Sequence, residues 1–234
     1  MRNKWILYLL FFFLLIGTYY LVVFTQTDIN QSNLPVISNN VLTFSFTDQD
    51  GKTITEKDVQ NKVYVAEYFF TTCRGICPRM NANMRRVYDQ FKNEPSFMIL
   101  SHTCMPETDS VPLMKKYAVK MLTGQLLKNS DGTYRLEDDS VAAANPPATG
   151  NWLFLTGDKA QLYNLARHGY IIDNNKVNAQ SNIKDEFIHT QFFALVDKQT
   201  RVRGIYDGLV EADIQKLQKD IRSLLREESR NRSL

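Results

Sequence analysis

Two of the chain's three cysteines stand four residues apart in YFFTTCRGICPRM, at Cys73 and Cys77, after an apolar run and just before Pro78. Thiols at that spacing suit a structural disulfide, a reversible dithiol–disulfide couple, or two soft ligands to one metal ion. The segment reads as a strand end followed by a helix start, because Pro78 suits a first helical turn, where its missing N–H costs nothing. Residues four apart at a helix start share one face, with Cβ atoms roughly 5–6 Å apart. Modest adjustment would join the sulfurs or clamp an ion between them. A helix N-terminus favours thiolate, the form that attacks disulfides and binds metals, and Arg74 adds a positive charge nearby. A structural disulfide here would close a tiny loop and give little entropic stabilisation. Two idle buried cysteines are the bland alternative. Redox or metal work accounts better for the pair.

Spacing separates those two only partly. The spacer Arg74-Gly75-Ile76 is one residue longer than in a C-x-x-C redox motif. Two thiolates leave a metal under-coordinated, and the histidines available as a third donor are His102, His168 and His189. His168 precedes Gly169 at a helix end, where capping accounts for it. His102 stands beside Cys104 in SHTC and reads first as a local polar contact, second as a ligand. His189, in KDEFIHTQFFALVD, immediately precedes a core strand. Strand ends converge on one edge of an α/β sheet, and ligands bind there. Cys104 and Met105 are further soft donors that could accept a metal transiently, though a buried or loop thiol with no role is the plainer reading.

The elements that must position these residues follow from hydrophobic period and turn chemistry. VLTFSFTDQDGKTIT alternates apolar and polar residues around Asp50-Gly51, a hairpin pattern. KVYVAEYFF, SFMILSHT and NWLFLTG read as buried strands, and TQFFALVD and RVRGIYDG as two more joined by a short turn. A helix to about Asn93 carries Met80, Met84, Val87 and Phe91 on one face. Asp109 or Ser110 opens a second helix with Pro112 in its first turn, and KAQLYNLARHG is a third, closed by Gly169. The last, about Glu211 to Glu227, repeats Ile214, Leu217, Ile221 and Leu224. Strand–helix alternation followed by an antiparallel pair predicts an α/β sandwich on a mixed sheet. The stretch from about Leu122 to Gly150 fits no core pattern and reads as a surface insertion.

Composition narrows the class. A hydrophobic fraction of 44% with 23% charged residues is globular, and a net charge of +3 is too small and dispersed for a nucleic-acid surface. Residues 5–24, WILYLLFFFLLIGTYYLVVF, contain no charge. Some twenty apolar residues at about 1.5 Å each cross a ~30 Å hydrocarbon core. Arg2 and Lys4 precede them, so the N-terminus is expected in the cytoplasm and the rest exported. A cleaved signal peptide is the rival, but the apolar run is long and no small-x-small cleavage site follows. The expected organisation is a cytoplasmic start (1–4), an inner-membrane anchor (5–24), a polar tether (25–39), one exported domain (40–227) and a charged tail (228–234).

YFFTTCRGICPRM, NWLFLTG, FIHTQFFALVD and RVRGIYDG together resemble the Sco/SenC family over about residues 41–225. These are membrane-anchored, thioredoxin-like copper chaperones of cytochrome c oxidase assembly. The resemblance implies that Cys73, Cys77 and His189 are copper ligands and that the cysteine pair is redox-active. It also implies a cytochrome c oxidase subunit or another cuproprotein as recipient, and a thiol reductant as partner. Three features differ from the common family pattern: Met105 precedes Pro106-Glu107, Ile188 precedes His189, and the insertion is longer. Donor chemistry agrees with the metal, since thiolates select Cu(I), imidazole suits Cu(I) and Cu(II), and structural zinc normally takes four ligands. The competing function is a thiol–disulfide oxidoreductase acting on client cysteines. It could work with the pair alone, whereas a copper chaperone needs His189.

Overall fold

A computed structural model describes residues 4–26, 34–146, 150–173 and 190–227, with the backbone alone for residues 21–26. A helix α1 (Lys4–Gln26) comes first. The hairpin β1 (Ser45–Asp48) and β2 (Thr53–Thr55) follows, turning at Gly51, whose φ of 82° a side chain would resist. Then come β3 (Val63–Phe69), α2 (Cys77–Phe91), β4 (Phe97–Thr103) and α3 (Val111–Thr123). β5 (Gln125–Lys128), β6 (Tyr134–Glu137) and α4 (Ser140–Ala144) lie in the insertion. β7 (Trp152–Thr156) leads to α5 (Lys159–Asn164), which runs into a π-helical turn over Leu165–Gly169. β8 (Phe192–Val196), β9 (Val202–Asp207) and α6 (Glu211–Arg226) complete the described chain.

Seven strands form one mixed sheet in the order β2-β1-β7-β4-β3-β8-β9. The central β7, β4 and β3 are parallel, and β1 and β8 flank them antiparallel. β3 is buried on both faces, as a central parallel strand must be, and its continuous apolar run follows from that. Val65 and Phe69 point into a core with Met80, Met84, Val87 and Phe91 of α2 and Ile214, Leu217, Ile221 and Leu224 of α6. Tyr64, Ala66 and Tyr68 point to the other face, where Leu162, Tyr163 and Leu165 cover them. Each such side chain stabilises the fold by about 1.5–3 kcal/mol through burial.

Three details go beyond the expected pattern. The stretch read as a surface insertion carries a hairpin: β5 and β6 pair from Gln125↔Glu137 to Lys128↔Tyr134, and the half-buried Leu136 packs on the core. Its two arms are too short and too polar to announce a hairpin, and α2 supplies the surface that makes one stable. The helix from Lys159 ends in a π turn, with the Tyr170 N–H reaching Leu165 O at 2.8 Å. Of the two residues read as opening α3, Ser110 is the N-cap, while the Asp109 carboxylate is buried and faces the cysteine loop.

Residues 34–38, at the end of the stretch read as a tether, are held along β9. Arg203 Nη2 donates to Leu34 O at 2.7 Å and the Ile37 N–H to Val202 O at 2.8 Å. Over the described residues no helix is long and apolar enough to cross a membrane; α1's side chains are described to Tyr20, its backbone to Gln26. The described apolar side chains of α1 from Trp5 to Tyr20 are exposed. The charged tail lies outside the described residues.

Candidate metal and thiol site

β3 ends at Phe69, and the loop 70–76 carries the thiols to the start of α2. The Cys73 N–H closes a turn on Phe70 O at 3.2 Å. Cys77 is the first residue of α2, with Pro78 beside it and no side-chain cap at Ile76. Cys73 is half-buried, Cys77 and Cys104 are buried, and all three are free thiols. Together with Phe70, Ile76 and Thr190 they line one cavity of about 270 Å³.

Sheet register explains why Thr190 is there. β8 runs antiparallel to β3 with Tyr64 opposite Val196 and Ala66 opposite Ala194. Continuing that count past the last pair sets Thr190 beside Phe70. Its hydroxyl donates to Ile172 O at 2.6 Å, tying together the two ends of the segment that contains His189. His189 itself lies outside the described residues. Among the described residues no group of three or more His, Cys, Asp or Glu side chains is assembled around a metal position.

A buried acid anchors the loop from beneath. Asp109 accepts from Thr71 Oγ1 at 2.6 Å and from Thr103 Oγ1 at 2.5 Å, and the Thr71 N–H points at the same carboxylate at 3.3 Å. The ends of β3 and β4 are thereby clamped directly under the cysteine turn. Cys104 is tied to the same place: its N–H donates to Phe69 O at 2.9 Å and its Sγ to the same oxygen at 3.2 Å. Asp109 was legible only as a helix cap, because nothing local indicates that it pairs with a threonine 38 residues earlier.

Burial pushes the Cys77 thiol well up, and the neighbouring Cys73 sulfur adds to this, while the Phe70 N–H partly offsets it. Cys104 is pushed up to about 12, again mainly by burial. The expectation that the helix terminus and Arg74 hold Cys77 as thiolate is therefore corrected: Arg74 is exposed, where water screens its charge, and desolvation wins. Thiolate forms when something replaces the proton, and a cation entering the cavity would do so.

His102 is fully buried on the opposite face of the sheet, its ring stacked on Tyr68 at 5.1 Å and its Nε2 3.2 Å from the Tyr170 hydroxyl. Burial lowers it to about 3. It is a core histidine on the side that Tyr68 and Cys104 share, whereas Cys73 and Cys77 pack in the core on the other face. Met105 packs on that same core. His168 is exposed near the end of the π turn.

The chain matches the SCO1/SenC family over residues 37–126 and 130–226. It belongs to the SCO1/SenC family. Within that family, the SCO1 protein homolog of Bacillus subtilis (strain 168) is 26% identical over 182 residues, 77% of this chain and 80% of that one. The structure of BsSco, described with a disulfide switch and as a member of the Sco family of cytochrome c oxidase assembly proteins, is 25% identical. It superimposes with a TM-score of 0.60 over 85% of this chain and all of that one. Arabidopsis thaliana ScoI with copper bound shares the fold at 20% identity and a TM-score of 0.51, over 77% of this chain and 97% of that one. The mixed sheet flanked by helices is the thioredoxin-like fold of Sco proteins.

Proposed function

We propose that this SCO1/SenC protein is a membrane-anchored copper-binding protein that hands copper to a respiratory oxidase subunit or another exported cuproprotein. Cys73, Cys77 and His189 are its ligands. The observation that carries the reading is the cavity at the end of β3, where two free thiols and Thr190, the residue next to His189, meet. Two sulfurs and one imidazole make a soft, three-donor site that suits Cu(I) and tolerates Cu(II). The half-buried Cys73 leaves the ion approachable by a recipient's own ligands. Copper is cargo here, so a site short of full coordination is an advantage.

The anchor reading rests on the sequence. Residues 5–24 are without charge, and α1 holds 23 residues, about 35 Å of helix. The basic residues ahead of it favour an exported domain on the periplasmic side of the inner membrane. A reporter fused after Leu234 should be active only when exported; activity in the cytoplasm would overturn this placement.

Disulfide formation removes two of three donors, so copper binding and the Cys73–Cys77 disulfide exclude each other, and a thiol reductant becomes a necessary partner. The alternative, a thiol–disulfide oxidoreductase, is favoured by one observation: the two thiols are free and line the same cavity. Copper stoichiometry and affinity of reduced, oxidised and His189→Ala protein decide between them. The reduced chain should bind one copper, the disulfide form none, and His189→Ala should bind more weakly while still cycling. Undiminished binding by the disulfide form, or no change on losing His189, favours the oxidoreductase.

A further inference from the structure

We propose that Cys104 is a second resolving thiol for Cys73, so that the cavity forms either of two disulfides, Cys73–Cys77 or Cys73–Cys104. This rests on the redox competence of Cys73 proposed above and goes beyond it by adding a partner from another strand. The chain has three cysteines, all free, and all three line one cavity of about 270 Å³. Cys104 is the buried thiol that neither the metal site nor the cysteine pair uses.

Cys104 reaches the pair because it stands just past the end of the sheet. β3 ends at Phe69 and β4 at Thr103, and these two residues are register partners. Continuing that register by one sets Cys104 beside Phe70. The Cys73 N–H closes its turn on the carbonyl of the same Phe70 at 3.2 Å. Within the sheet, Cys104 and the Cys73–Cys77 pair belong to cores on opposite faces, but beyond it Phe70 packs on both. The cavity opens there, where no strand separates the two sides.

The two sulfurs are held differently. Cys104 is buried, its N–H and Sγ both donate to Phe69 O, and the Tyr163 hydroxyl donates to Cys104 O at 2.9 Å. Cys73 is half-buried in the loop between β3 and α2, beside Gly75, where an added Cβ would meet nothing within 4 Å. A disulfide needs Cα atoms about 4.4–6.8 Å apart. The loop is the side with room to move, and Cys104 is the fixed side that it meets. A valine would fill the same wall without adding a thiol that competes for Cys73.

The chemistry balances with a disulfide-bearing partner as oxidant. Cys73 sulfur attacks one sulfur of the partner disulfide, that bond breaks, and the first partner thiolate leaves and takes up the Cys73 proton. Cys104 sulfur then attacks Cys73 sulfur, the mixed disulfide breaks, and the second partner thiolate leaves with the Cys104 proton. Two electrons pass from the two cysteines to the partner. Attack by Cys104 on an existing Cys73–Cys77 disulfide needs no further reactant, and it returns Cys77 as a thiol.

The test uses the full-length, metal-free chain in detergent, fully reduced and then given one equivalent of glutathione disulfide. Remaining thiols are alkylated, and trypsin separates Cys73 from Cys77 by cutting at Arg74. Wild type should yield Cys73–Cys77 with Cys73–Cys104 beside it. Cys77→Ser should take up glutathione at Cys73 and then release it, ending as Cys73–Cys104. Cys77→Ser/Cys104→Ser should keep the adduct at least about tenfold longer, because the intramolecular thiol is gone. Cys77→Ala serves where the serine variant does not fold, and where neither folds the wild-type peptides decide. An adduct as long-lived in the single variant as in the double one, or no Cys73–Cys104 peptide from any chain, overturns the proposal. A wild-type chain that forms no disulfide at Cys73 overturns the redox reading of the pair and this inference with it. Cys73–Cys77 as the sole disulfide leaves that reading standing and removes Cys104 alone.

Discussion

Asp109 is the residue on which the geometry of the thiol loop depends most. It is fully buried and accepts from two threonine hydroxyls and one backbone N–H on two different segments. Removing the acceptor strands those donors away from water. Asp109→Ala should therefore destabilise the protein by about 2–4 kcal/mol in denaturant unfolding, and Cys77 should become more reactive to alkylation as the loop loosens. Asp109→Asn, which keeps one acceptor oxygen, should cost less. A second expectation concerns the thiols themselves. Cys73 is half-buried while Cys77 and Cys104 are buried, so a bulky thiol reagent should modify Cys73 first in the folded, reduced chain. Rapid modification of all three would show that the cavity is open to solvent.

Among the elements, the insertion hairpin is the one whose role changed most between pattern and structure. The Arg86 guanidinium of α2 lies 4.1 Å above the Tyr134 ring and pairs with Glu211 of α6 at 2.6 Å. Arg85 of α2 donates to the carbonyls of Met121 and Gly124 at 2.7 and 3.2 Å. The hairpin thus covers the back of the helix whose first residue is Cys77. A cation over an aromatic ring is worth about 0.5–2 kcal/mol. Tyr134→Ala should lower stability by about 1 kcal/mol, with copper stoichiometry unchanged because the hairpin does not line the cavity. Lost copper binding in the folded variant would show that α2 transmits strain to the thiols.

At the scale of the whole molecule, buried titratable groups set the pH response. Glu67 is raised from 4.5 to about 7 by burial. The folded state therefore binds its proton more tightly than the unfolded state does. Its stabilising contribution is full below about pH 4.5 and is lost as pH rises through about 7, a change of about 3 kcal/mol. His102 has the opposite sign: lowered from 6.5 to about 3, it contributes stability above about pH 6.5 that is lost as pH falls toward 3. Between about pH 4.5 and 6.5 the two slopes oppose each other. The stability of Glu67→Gln relative to wild type should accordingly rise by about 3 kcal/mol from pH 4.5 to 8. A difference independent of pH would mean that Glu67 is not desolvated.

The sequence by itself determined the order of strands and helices, the face each helix buries and the place of the cysteine pair. Those properties depend on local period and turn chemistry: Met80, Met84, Val87 and Phe91 repeat at helical spacing whatever they pack against, and Pro78 and Gly51 act on their own backbone. The family was legible too, because YFFTTCRGICPRM and FIHTQFFALVD are contiguous strings. Tertiary structure decided whatever depends on residues distant in the chain. It left the opening of α3 to Ser110 and made Asp109 a clamp, since Thr71 lies 38 residues away. It sent His102 to the face opposite Cys73 and Cys77 and brought Cys104 into their cavity. An acid within the apolar run KVYVAEYFF was visible, but not that one of its oxygens has no partner among the described residues, because that depends on Ser101 and Trp152 arriving from two other strands. It also made a hairpin of the insertion, whose short polar arms gain stability only against α2. Period and spacing are properties of neighbours along the chain, whereas desolvation and hydrogen bonding are set by whichever atoms the fold brings alongside.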